Sequence, residues 1–201
     1  MRPTSPKSIL WGICISGLAA LALGALGAAA DEPKEPAPAG MPAPAERLPE
    51  HVWLDQLVGE WTVSMEIPMG PGVEPMKAEG SESSRSIGGV WYVADGKLSM
   101  GGQSMSSMMT LGYDPAKKSF VGTWIDTMQI HLWTYTGTLD EAKKSLSLLA
   151  EGPNMEDPTK TSRYRDVIEV VSADHRVTTS SIQDADGAWT QYMRADYRRK
   201  K

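Results

Sequence analysis

From Trp61 onward the chain is a succession of short alternating runs, each ended by a turn-forming cluster, and this rhythm limits the fold more than any other feature. Trp61, Val63, Met65 and Ile67 alternate with Thr62, Ser64 and Glu66. Strand side chains point to opposite faces with a period of two, so this run is a half-buried strand. Leu111–Asp126 reads as one hairpin. Its turn is Asp114-Pro115-Ala116-Lys117-Lys118, where Pro115 pre-sets the backbone and Asp114 bonds the amides just after it. Trp124 and Asp126 then share one face of the second strand, an arrangement suited to the wall of a cavity. Further strands are expected over 76–87, 90–94, 97–100, 104–111, 129–138, 145–150, 162–171, 176–183 and 189–198, with Asp95-Gly96 as a hairpin turn. Within 76–87 one side is small and polar (Ala78, Gly80, Glu82, Ser84), which lines a space where bulky residues would fill it.

About ten strands in roughly 150 residues, with no helix between them, predict an all-β antiparallel meander, since parallel pairing needs long crossovers. A meander of this many strands removes its edges by closing into a barrel, and a β-sandwich is the rival. A short helix precedes the first strand. Pro49 suits its first turn, Val52, Trp53, Leu57 and Val58 give it an apolar stripe, and Gly59 ends it.

The first thirty residues stand apart. Arg2 and Lys7 precede Ile9–Leu26, an uncharged apolar run, and Ala28-Ala29-Ala30 offers a cleavage site. Residues 1–30 are therefore expected to be a signal peptide, cleaved near Ala30, for a periplasmic or extracellular product. An uncleaved membrane anchor is the alternative. Residues 31–47, rich in Pro and Ala, form a disordered tether, and 48–201 form the barrel domain. Without Arg2 and Lys7 the 20 basic residues become 18 against 25 acidic, a net of −7. That balance does not suggest nucleic acid. The one cysteine, Cys14, lies in the apolar run, so the mature chain has no disulfide and no thiolate.

Gly59-Glu60-Trp61 after a short helix resembles the GxW opening of the calycin barrels, the lipocalins and fatty-acid-binding proteins. In those families the Trp closes the barrel floor and a late Arg packs across it. The resemblance implies that role for Trp61, with Arg194 or Arg198 across it. More specifically, LDQLVGEWTV, GSESSRSIGGVWYV, LGYDPAKKSFVGTWIDTM, LSLLAEGPNMEDP and the closing YRRK are similar to the bacterial domain-of-unknown-function family 1579. That resemblance covers nearly the whole mature domain and implies a calycin-like barrel, with almost no chemistry attached.

Catalytic signatures are few. There is no GxSxG elbow and no HExxH. His51 in the helix and His175 beside a turn read as surface residues. His131 shares a strand face with Trp133 and Tyr135. Heme-binding barrels of the nitrobindin type use a histidine as iron ligand, which makes His131 the candidate for a heme alternative. Met100, Met105, Met108 and Met109 form a thioether-rich run that suits Cu(I), although Met more often fills packing gaps. Neither cofactor is expected. Glu82, Asp126, His131 and Glu169 are the groups an enzyme would use, while Asp126 more simply bonds backbone at its hairpin end. The expectation is a barrel that binds a small apolar molecule. Trp61, Met109, Trp124, His131 and Trp133 would line the site, with Glu82 and Asp126 as polar anchors. An enzyme working through those carboxylates and a filled barrel acting as an interaction module are the alternatives.

Overall fold

Leu48 and Pro49 open the folded part in a way the sequence anticipates only in part. In this computed structural model, which describes residues 43–142 and 144–201, helix α1 spans Pro49–Leu54 and a 3₁₀ turn follows over Asp55–Leu57. The expected signal peptide, and the tether as far as residue 42, lie outside the described residues. His51 is not a surface residue: it is 5% exposed. Its Nδ1 accepts the Leu48 N–H (2.9 Å), so Nε2 carries the proton and points it at the Tyr113 carbonyl, 3.3 Å away. A residue chosen for polarity thus ties the helix start to a strand end.

Ten strands follow: β1 (Gly59–Ile67), β2 (Met76–Ile87), β3 (Trp91–Met100), β4 (Gln103–Asp114), β5 (Ser119–Asp126), β6 (Trp133–Leu139), β7 (Ser145–Pro153), β8 (Thr161–Ser172), β9 (His175–Gln183) and β10 (Trp189–Arg199). Each pairs antiparallel with the next, and β1 pairs with β10, so the sheet is a closed barrel with no edge. The expected architecture is therefore observed, with two local corrections. Asp95-Gly96 is not a turn; both residues lie inside β3. Gly96 comes so close to β4 that a Cβ there would stand 2.4 Å from Ser107 Oγ, and Asp95 pairs with Arg85 at 2.9 Å. The glycine permits close approach, and the hairpin turn falls instead at Gly101-Gly102, both with positive φ. Residues 129–132 are not strand either, because Asp126 captures the amides of Met128 and Gln129 and peels the chain off the sheet. The Asp114 turn forms as expected, with Asp114 Oδ1 accepting from the Ala116 and Lys117 amides at 2.9 and 3.2 Å.

Helix α1 closes one end of the barrel. Trp53, Leu54 and Leu57 are buried against Tyr92, Leu111 and Phe120, with the Trp53 ring edge-on to Phe120 at 6.1 Å. Burying such side chains stabilises by roughly 2 kcal/mol each. Beside the helix end, Trp61 is 1% exposed and donates from Nε1 to the Leu57 carbonyl at 2.9 Å. The arginine crossing it is neither Arg194 nor Arg198. Arg199 lies over the ring at 4.2 Å, and Arg176 from β9 at 4.9 Å. Trp61 faces Arg199 in register, so the inward set on β10 is Ala195, Tyr197 and Arg199. Arg194 and Arg198 have the opposite parity and lie outside, where Arg194 pairs with Asp196 at 3.0 Å. His175, expected at the surface, is largely covered and bonds Asp196 at 2.8 Å.

Candidate functional site

Strand parity builds the site. β4 turns Met105, Ser107 and Met109 inward, β5 adds Trp124 and Asp126, β6 adds Trp133 and Tyr135, and β8 adds Tyr164, Asp166 and Ile168. A bulge in β10 between Gln191 and Met193 lets the consecutive residues Tyr192 and Met193 both face in. Together these walls line a cavity of about 660 Å³. Its closed end lies toward α1. Its mouth lies at the opposite end, where β6 begins and β5 and β7 finish, and where Met128, Ile130, Leu132 and Met155 are exposed on loops.

Two buried polar clusters stand out among the polar residues of the wall. Toward the closed end, Glu82 accepts from the Tyr92 hydroxyl at 2.8 Å and pairs with the Arg176 guanidinium. Arg176 is 2% exposed and also lies over the Tyr197 ring at 4.0 Å. Burial works against its charge, but Tyr92 and Glu82 outweigh that and hold its pKa above the ordinary value. Burial also pushes the Tyr197 hydroxyl up to about 12. Midway along the barrel, Asp166 accepts from the Tyr135 hydroxyl at 2.7 Å and from the Ser180 hydroxyl. Burial pushes the Asp166 carboxyl above its ordinary range, against the pull of those two hydrogen bonds. Burial likewise raises the Tyr92, Tyr135 and Tyr192 hydroxyls.

Of the residues singled out from the sequence, Glu82, Met109, Trp124, Asp126, His131 and Trp133 all line this cavity. Trp61 does not; its ring is covered by the two arginines beneath the closed end. Asp126 stands at the rim with its oxygens engaged by the Met128 and Gln129 amides and, at 3.1 Å, by Gln129 Nε2. His131 lies on the rim loop, edge-on to Trp133 at 4.7 Å. Met100, Met105 and Met109 face inward, while Met108 is exposed on the outside. The polar residues the sequence did not reveal include Asp166, Arg176, Ser180, Tyr192 and Tyr197. The available signal for Asp166 is its place between Tyr164 and Ile168 on one strand face, where a carboxylate is out of pattern.

Among the described residues, Trp133 Nε1 and Arg176 Nε belong to side chains that line the cavity but are themselves buried away from it, without an acceptor. Trp133 packs edge-on to Tyr164 at 4.8 Å and occupies the space opened by Gly152, where a Cβ would come within 2.5 Å of the indole.

A ten-stranded closed meander, capped by a helix and hollow inside, defines a calycin-like barrel. The chain belongs to the family DUF1579, described as a protein of unknown function, whose profile matches residues 46–199. The structure is similar to that of the S-type phycobiliprotein lyase CPES from Guillardia theta, at 10% identity and a TM-score of 0.52, over 77% of this chain and 94% of that one. It is also similar to Rv2717c from M. tuberculosis, at 12% identity and a TM-score of 0.53, over 78% of this chain and 100% of that one. At such identities the likeness is one of fold. No curated protein matches the chain in sequence.

Proposed function

We propose that this chain is an exported barrel that binds a small, largely apolar molecule in its interior. The observation that carries the reading is the cavity of about 660 Å³, a size typical of small-molecule sites, walled by Met, Trp and Tyr with few polar groups. Trp124, Trp133, Met109 and His131 are the proposed apolar and aromatic contacts. Glu82 remains the proposed anchor at the closed end and Asp126 at the rim, joined by Asp166 midway. The calycin-like architecture supports a binding role by analogy of fold. Export rests on the charged start, apolar run and small residues of 1–30.

Native mass spectrometry, with an absorbance spectrum, on the protein purified from its own cell envelope tests this reading. A reproducible extra mass of a small organic molecule is expected, together with a mature N-terminus near Asp31. A bare mass, under conditions that preserve a control barrel–ligand complex, would count against the carrier role. A Soret band would assign heme to the site, and a copper mass would assign the methionines to it.

A further inference from the structure

We propose that the occupant of the cavity is an apolar molecule bearing one protonated amine, which pairs with the Asp166 carboxylate midway down the barrel. This inference rests on the barrel being a ligand carrier. Among the described residues the cavity wall carries three carboxylates, Glu82, Asp126 and Asp166, against one guanidinium, Arg176. Glu82 and Arg176 pair with each other at the closed end. Asp126 at the rim is held by two backbone amides and by Gln129. Asp166 has neither arrangement. Its partners, Tyr135 and Ser180, are neutral hydroxyls, and no lysine or arginine among the described residues acts on it. Each hydroxyl takes one oxygen, and a carboxylate accepts up to about four hydrogen bonds, so capacity remains. The residue also keeps surface open to the interior. Asp166 is half-buried and faces inward in a closed barrel, whereas Tyr164 and Ile168, two residues to either side on the same strand face, are buried.

The approach from the mouth suits a cation. Trp133 packs edge-on to Tyr164 at 4.8 Å, and Tyr164 edge-on to Tyr192 at 6.2 Å, a run of rings leading from the rim toward Asp166. Burial first, and then the Asp166 charge, raises the Tyr135 and Tyr192 hydroxyls, so both stand close to the carboxylate. Aromatic faces attract an ammonium, most strongly out of water. A cation is favoured over an anion whichever form Asp166 takes in the empty barrel. Ionised, it attracts an ammonium and repels a carboxylate. Protonated, it releases its proton to water as the ammonium enters, and the resulting pair is net neutral. An entering carboxylate would gain one hydrogen bond from the acid but would leave a net negative charge, since Arg176 is already taken by Glu82.

Three probes of matched size separate these outcomes: naphthylethylamine, ethylnaphthalene and naphthylacetate, titrated against the whole folded protein by calorimetry at neutral pH. The amine is expected to bind about tenfold or more tightly than ethylnaphthalene, the low end of what a hydrogen bond to a charged group supplies. Naphthylacetate is expected to bind more weakly than the amine. In Asp166→Asn the ratio of amine to ethylnaphthalene affinity should fall to near one. If that variant does not fold, the carboxyl carbon resonance of Asp166 in isotope-labelled wild-type protein carries the test: it should move on adding the amine and not ethylnaphthalene. Equal binding of amine and ethylnaphthalene, tighter naphthylacetate, an unchanged ratio in Asp166→Asn, or an unmoved carboxyl resonance would overturn this inference and leave the carrier reading standing. Failure of all three probes to bind would overturn both.

Discussion

Arg176 is the residue on which most depends, since it joins a carboxylate, two aromatic rings and the cavity floor in one buried position. Replacing it by Met leaves Glu82 buried with only the Tyr92 hydroxyl. Breaking a buried pair on one side costs about 3–5 kcal/mol, whereas replacing both partners by apolar residues is often near neutral. Urea denaturation should therefore show Arg176→Met strongly destabilised, and Arg176→Met with Glu82→Leu recovering most of the loss. A double variant as weak as the single would show that the ring contacts, and not the charge, dominate. Asp166 gives a different signature. Its raised pKa means the folded chain keeps a proton that the unfolded chain has released. Its contribution to stability is greatest below the ordinary carboxylate pKa of 3.8 and declines as pH rises through the raised value. Asp166→Asn removes the titration, so the stability difference should move in favour of the variant as pH rises over that window. A difference flat with pH would mean Asp166 ionises alike in both states.

At the scale of elements, the helix that closes the barrel and the hairpin around Asp114 are both written locally. Trp53 and Leu57 of the expected stripe are buried, although Leu54 takes the place expected of the exposed Val52, and the turn amides find Asp114 two and three residues away. The inward faces were legible where alternation continued unbroken: Met109, Trp124 and Trp133 line the cavity. It was not legible where a single residue changes parity or where partners come from distant strands. The choice between Arg198 and Arg199 is a choice of strand face, which alternation alone leaves open and register alone decides. Glu82 and Arg176 are 94 residues apart, so no local pattern announces their pairing. Asp95-Gly96 carries the sequence of a turn but is held in a strand by pairing on both sides. The closing helix yields a direct prediction. Trp53→Ala empties the space above Phe120 and should cost about 3–5 kcal/mol, the usual range for removing a buried Trp. Thermal unfolding by circular dichroism would read the loss. A change under 1 kcal/mol would show that the strands close the barrel without the helix.

For the molecule as a whole, closure makes every strand interior, and one seam must join residues far apart in the chain. Here the seam is β1 with β10, extended by the Arg199 Nη1 hydrogen bond to the Val58 carbonyl, 141 residues away, at 2.7 Å. The same seam brings the two ends of the barrel domain together, since the Lys200 amide donates to the Glu60 carbonyl at 2.8 Å. Joining Lys201 to Leu48 through a flexible linker of about eight residues, which reaches roughly 15 Å, should therefore be tolerated. New ends can be cut in the exposed β1–β2 loop, where Gly70 and Gly72 have positive φ and open space around them. This permutation makes β1–β10 a local pair and β1–β2 the distant one, so it moves the seam without abolishing it. Because average sequence separation sets the rate of such folds, refolding should stay within about tenfold of the natural order, and stability within about 1 kcal/mol. Stopped-flow refolding and urea titration would check both values. A permutant that reached the barrel far more slowly would show that the β1–β2 hairpin starts folding, because its strands alone lose their short connection.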